Sequence, residues 1–90
     1  MFEEIMWTER AEAHIARHGV TPDEVEDVLG SRGSRRRAGP DDVRYVFGRS
    51  AAGRPLVVVV VDSMDGRVYV ATARDMTATE VRWFRKMKGC

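Results

Sequence analysis

Cysteine is nearly absent from this 90-residue chain: the single one, Cys90, is the last residue. A lone thiol cannot close an internal disulfide, which excludes a disulfide-stapled fold. Histidine is almost as scarce. His14 and His18 are the only two, spaced i, i+4, and with no third ligand nearby they make a poor zinc site. No Gly-rich phosphate loop and no Cys/His zinc spacing is present, so neither cofactor nor metal is expected. The apolar run Leu56–Val61 falls far short of the roughly 18 residues that suggest a membrane span. Glu3 and Glu4 stand where a signal peptide would carry positive charge, so the expected location is cytoplasmic, with no membrane partner. Ninety residues suffice for one domain, 1–90, with one modest core.

Charge is present in quantity but unevenly placed. The formal net charge is only +1. Residues 1–30 nevertheless carry eight acids and two bases, a formal −6, while residues 31–90 carry 13 bases and six acids, a formal +7. Such asymmetry points to a polyanionic partner unless folding mixes the two halves.

The pattern along the chain reads as (β)αα(β)βββα. Residues 3–7 suggest a short strand. Thr8 is placed to cap a helix over 9–18, with Trp7, Ala11 and Ile15 on one face and Gly19 ending it. Thr21-Pro22-Asp23-Glu24 is a capping box with proline at the first helical position, and it opens a second helix that Gly30 closes. Residues 31–42, with Gly33, Gly39, Pro40 and the run Arg35-Arg36-Arg37, look the least ordered. A strand at 43–50, a valine-rich central strand at 56–61 and a strand at 67–74 follow. The loop Ala51–Arg54 and the turn Asp65-Gly66 join them into an antiparallel meander. Thr77-Ala78-Thr79-Glu80 is a second capping box, opening a last helix with Val81 and Phe84 on its apolar stripe. The expected fold is α+β: two N-terminal helices and a C-terminal helix packed on a small antiparallel β-meander sheet.

One residue carries the strongest chemical signal. Arg74 ends the third meander strand and sits just before a helix bearing Arg82, Arg85, Lys86 and Lys88. A guanidinium held at a strand terminus suits phosphate, because its planar fork matches two phosphate oxygens. The competing assignment is an ion pair with Asp75, Asp62 or Glu80. Trp83, among these bases, either packs on the sheet or a partner, or stacks on a nucleobase.

Four ordered segments resemble one family. Arg17-His18-Gly19-Val20-Thr21-Pro22-Asp23-Glu24-Val25, Gly48-Arg49-Ser50, Gly53-Arg54-Pro55-Leu56-Val57-Val58-Val59, and Ala73-Arg74-Asp75-Met76-Thr77 with Glu80 are similar to motifs of BrnT-type toxins. The resemblance spans roughly residues 7–88. It implies a RelE/ParE-like fold, metal-independent RNA cleavage, and neutralisation by a cognate antitoxin of ribbon-helix-helix or similar DNA-binding type. This chain has Arg17 where the family often has lysine, and Phe84 at the usual tyrosine position.

Metal-free RNA cleavage uses the 2′-hydroxyl as nucleophile. It needs a base for that hydroxyl, positive charge on the phosphorane and an acid for the leaving 5′-oxygen. With the resemblance, Arg74 and Arg49 become candidates for charge stabilisation, Glu80 for base or orienter of Arg74, and His18 for proton transfer. Arg17, Arg36, Arg37, Arg82, Arg85 and Lys86 are candidate RNA contacts. Glu80 has a rival role as capping-box residue, and His18 as a helix-terminal histidine. Apolar surface also leaves room for a homodimer or a toxin–antitoxin hetero-oligomer.

Overall fold

A computed structural model describes residues 4–63 and 65–87; Lys88 and Cys90, considered above, lie outside them, as does Glu3. The elements are β1 (Glu4–Met6), α1 (Glu9–Arg17), α2 (Pro22–Gly30), β2 (Arg35–Ala38), β3 (Val43–Arg49), β4 (Pro55–Asp62), β5 (Arg67–Asp75) and α3 (Ala78–Met87). Local chemistry sets the helix starts. Thr8 Oγ1 accepts from the Ala11 amide at 3.1 Å, and Thr21 and Glu24 make both bonds of their capping box. Gly19, at φ 70°, adopts the left-handed conformation that ends α1.

The sheet is larger than the expected three-stranded meander. It has five strands in the order β1-β5-β4-β3-β2. Strands β2 to β5 are antiparallel neighbours, and β1 joins the far edge parallel to β5, with Ile5 opposite Val68. The arginine run expected to be irregular is the edge strand β2, with Arg35, Arg36 and Arg37 opposite Phe47, Val46 and Tyr45. Two effects account for the difference. Charged side chains are well suited to a strand whose outer edge faces water. Arg35 also reaches across 52 residues to donate from Nε and Nη2 to the Met87 carbonyl, at 3.3 and 3.0 Å, at the end of α3.

Helices cover both faces of the sheet. Beneath α1 and α2 lie Ala11, Ile15, Val25, Val28, Val46, Leu56, Val58, Val60, Val68, Val70 and Ala73, all buried. A smaller core on the opposite face joins α3 to the sheet through Phe47, Val57, Met76 and Phe84. This double coverage explains the unbroken valine run of β4, whose residues alternate between two buried faces.

A bulge decides where the arginine of β5 points. Val68 and Val70 face α1 and α2, so simple alternation would send residue 74 the same way. Register shifts between Val59 and Val60, which pair with Thr72 and Val70 and leave Ala71 as the extra residue. The inserted residue reverses the alternation. Ala73 then joins the larger core, and Arg74, opposite Val57, emerges on the α3 face.

Candidate active site

Arg74 reaches the α3 face beside the first turn of that helix. Its Nη1 donates to Glu80 Oε1 at 2.7 Å and to the Asp75 carbonyl at 3.0 Å, and its Nη2 donates to Glu80 Oε2 at 3.0 Å. Glu80 meanwhile completes its capping box: Oε1 accepts from the Thr77 amide at 2.9 Å, and the Glu80 amide donates to Thr77 Oγ1 at 3.2 Å. The helix cap and the arginine clamp are thus one carboxylate. Both roles weighed from the sequence, capping residue and partner of Arg74, are occupied at once.

The electrostatics follow from this geometry. The bidentate Arg74 bond, helped by the Thr77 amide and opposed by partial burial, holds the Glu80 carboxyl at about 2 instead of its usual 4.5. In turn Glu80 pushes the pKa of Arg74 above its ordinary value, with a smaller contribution from nearby Tyr45. A guanidinium has five N–H donors. Among the described residues Arg74 uses three of them, and its side chain keeps 41% of its surface exposed. Two donors remain for an incoming anion.

An open cleft of about 300 Å³ lies against this pair, lined by Arg37, Ala38, Tyr45, Phe47, Arg74 and Glu80. Arg37 sits 5.7 Å above the Trp83 ring, and that indole packs edge-on against Phe47 with centroids 4.8 Å apart. Trp83 therefore packs on the sheet and holds a cation at the rim. Tyr45 is fixed from behind: a Cβ on Gly39 would lie 2.7 Å from Tyr45 Cε2 and 3.3 Å from Cζ, so the ring occupies space that only glycine leaves open.

The other candidates disperse. Arg49 shares the α3 face and lies 5.9 Å from the centre of the buried Phe84 ring. Arg36, opposite Val46, faces the other side of β2 and lines a second groove with Asp41, Asp42 and Asp62. Arg82 donates to Thr79 Oγ1 at 3.3 Å, and Arg85 and Lys86 are exposed in the last turn of α3. Arg17 ends α1 and His18 caps it, both exposed. His18 belongs to the opposite layer, near Asp75, whose partner Leu56 points into the larger core, and not to the face carrying Arg74.

Two residues gain importance that their sequence context did not single out. Arg54, noted only as part of a motif, donates from Nε and Nη2 to Asp75 at 2.8 and 3.2 Å, from Nη1 to Glu24 at 3.2 and 3.3 Å and to the Gly19 carbonyl at 2.7 Å, and from Nη2 to the His18 carbonyl at 3.4 Å. Asp75 is held below the usual carboxylate range, chiefly by that bond. Tyr45 reads in sequence as one more apolar position of an alternating strand. Its place beside Arg74 depends on the β3–β4–β5 register, a long-range property.

No family model and no curated protein sequence matches this chain. Among solved structures, the 1.1 Å crystal structure of the Brucella abortus ribonuclease toxin BrnT superposes with a TM-score of 0.67 at 18% identity, over 83% of this chain and 97% of that one. The match spans nearly all of that protein, and with it the three helices and five-stranded sheet described above are shown to form the BrnT fold.

Proposed function

We propose that this protein is the toxin of a bacterial type II toxin–antitoxin pair, a metal-independent endoribonuclease of the RelE/ParE-like superfamily acting in the cytoplasm. The observation that carries the reading is Arg74: a guanidinium clamped by Glu80, with two donors unused, facing an open cationic cleft on a fold shared with a ribonuclease toxin. In this reading Arg74 binds the scissile phosphate and stabilises the charge that builds on it as the 2′-hydroxyl attacks. Glu80 is its positioning residue. A carboxyl held at about 2 is a weak base, so orientation suits it better than proton abstraction.

Arg37 extends the phosphate path along the rim, and Arg82, Arg85 and Lys86 continue it over the exposed side of α3. Arg49 adds positive charge on the same face. Arg17 and His18 lie on the other layer and would serve RNA that wraps the sheet end. A cognate antitoxin of ribbon-helix-helix or similar DNA-binding type would cover the basic face as a polyanion mimic, in a hetero-oligomer.

One observation favours a second reading, a non-catalytic module of the same fold that binds a partner or nucleic acid: no cleft-lining group is a strong base for a 2′-hydroxyl. The experiment that separates them is incubation of purified protein with mRNA in EDTA, beside Arg74→Ala. Cleavage by the wild type alone supports the enzyme. Intact RNA at high protein excess, with both proteins alike, establishes the module.

A further inference from the structure

We infer that Tyr45 is a catalytic residue of this cleft, the proton donor to the 5′-oxygen that leaves when the RNA backbone is cut. The inference rests on the ribonuclease reading above and deepens it. It follows from the groups the cleft contains. Arg37 and Arg74 are guanidinium groups, which supply charge and hydrogen-bond donors and not a transferable proton. Glu80 is an ionised carboxylate with both oxygens engaged by Arg74. Ala38 and Phe47 have nothing to give. Of the residues lining the cleft, this leaves the phenol as the proton donor.

The surroundings of the phenol fit that task. Its hydroxyl has no hydrogen-bond partner among the described residues, so it is free to meet a ligand. The ring is held in place by the Gly39 backbone behind it, which has no side chain to displace it. Arg74 and Tyr45 border the same opening, so a phosphate on the free guanidinium donors presents its ester oxygens toward the phenol. Phe84, the aromatic residue of α3 nearest in kind, is 1% exposed and has no hydroxyl. Tyr69, the other tyrosine, is exposed on β5 but does not line this cleft, so the phenol at this site is the one on β3.

The step balances as follows. The O2′–P bond forms while the 2′-hydroxyl proton passes to water. The P–O5′ bond breaks, and the Tyr45 Oη proton moves to the departing 5′-oxygen. Products are a 2′,3′-cyclic phosphate and a 5′-hydroxyl, and the phenolate regains its proton from solvent.

The test compares full-length wild type and Tyr45→Phe on two RNAs. One carries the normal 5′-oxygen at a single cleavable linkage, the other a 5′-bridging sulfur, whose thiolate leaves without protonation. Tyr45→Phe is expected to cut the oxygen substrate about 100-fold or more slowly, and the sulfur substrate at close to the wild-type rate. Gly39→Ala, which crowds the ring without removing the hydroxyl, is expected to show a smaller loss with the same rescue. Equal losses on both substrates, or no loss on the oxygen substrate, would overturn the assignment. Wild-type protein inert on both would instead overturn the ribonuclease reading, a result distinct from failure of the acid assignment.

Discussion

Glu24 opens α2 and Glu80 opens α3, each bonded reciprocally to a threonine three residues earlier, and each is met by an arginine, Arg54 from the β3–β4 loop and Arg74 from β5. Here the likeness ends. Arg54 spends all five N–H donors on Asp75, Glu24 and the carbonyls of His18 and Gly19. It ties the α1–α2 turn to β4 and β5 and lines neither of the two clefts described above. Arg74 spends three, and its remaining two border a cleft shared with Arg37 and Tyr45. The same capping-box and arginine pairing is a saturated structural tie on one face and, in the proposed function, a preorganised anion site on the other. Saturation of the guanidinium, not its presence, separates the two.

That contrast is broken most sharply by removing each arginine. Arg74→Ala is expected to lower RNA cleavage about 10²–10³-fold, with a stability loss under about 1 kcal/mol, because its ion pair is partly exposed. Cleavage rates and thermal unfolding of the same preparation test both halves of the statement. Arg54→Ala should do the reverse. Its loss strands two carboxylates and two carbonyls, costing about 2 kcal/mol and lowering Tm by about 8–16 °C, while activity per folded molecule stays near wild type. A cleavage defect in Arg54→Ala at temperatures where it is fully folded would erase the distinction.

Acid should sharpen the contrast at Glu80. Its folded pKa of about 2 lies below the ordinary 4.5, so its contribution to stability is present above pH 4.5 and is lost as pH falls through about 2. Glu80→Gln keeps an oxygen for the Thr77 amide but weakens the hold on Arg74. Urea unfolding from pH 5 to 2 is therefore expected to show a shallower acid loss for the variant, with about 1 kcal/mol less stability at neutral pH. The smallest effect belongs to the rim. Arg37→Ala should weaken RNA binding several-fold and reduce the slope of log affinity against log salt by about one. Arg36→Ala, on the opposite face of β2, should change either quantity less.

The legible parts of this protein are those written over three or four neighbouring residues. Thr8, the two capping boxes and Gly19 mark their helix ends through bonds that span no more than a helical turn. The valine run of β4 announces a strand buried on both faces, and it is one. Arg74 and Glu80 stood out because a strand-terminal arginine and a capping glutamate are separated by six residues. Other features were hidden because their causes are distant. Arg35–Ala38 becomes a strand by pairing with β3, and Arg35 is held by a carbonyl 52 residues away. Arg54 finds its partners 21 to 36 residues distant. His18 and Arg74, both chosen for their chemistry, lie on different sides of the sheet.

By itself the sequence determined the three helices, the meander strands, their order and the chemical inventory, because capping, turn conformation and hydrophobic alternation are short-range effects. Tertiary structure alone decided which face of the sheet each cation occupies. One extra residue in β5 turns Arg74 toward α3, and strand register brings Tyr45 and Arg37 beside it. Register and bulges are set by how whole strands pair and pack, a property no local stretch of the chain contains.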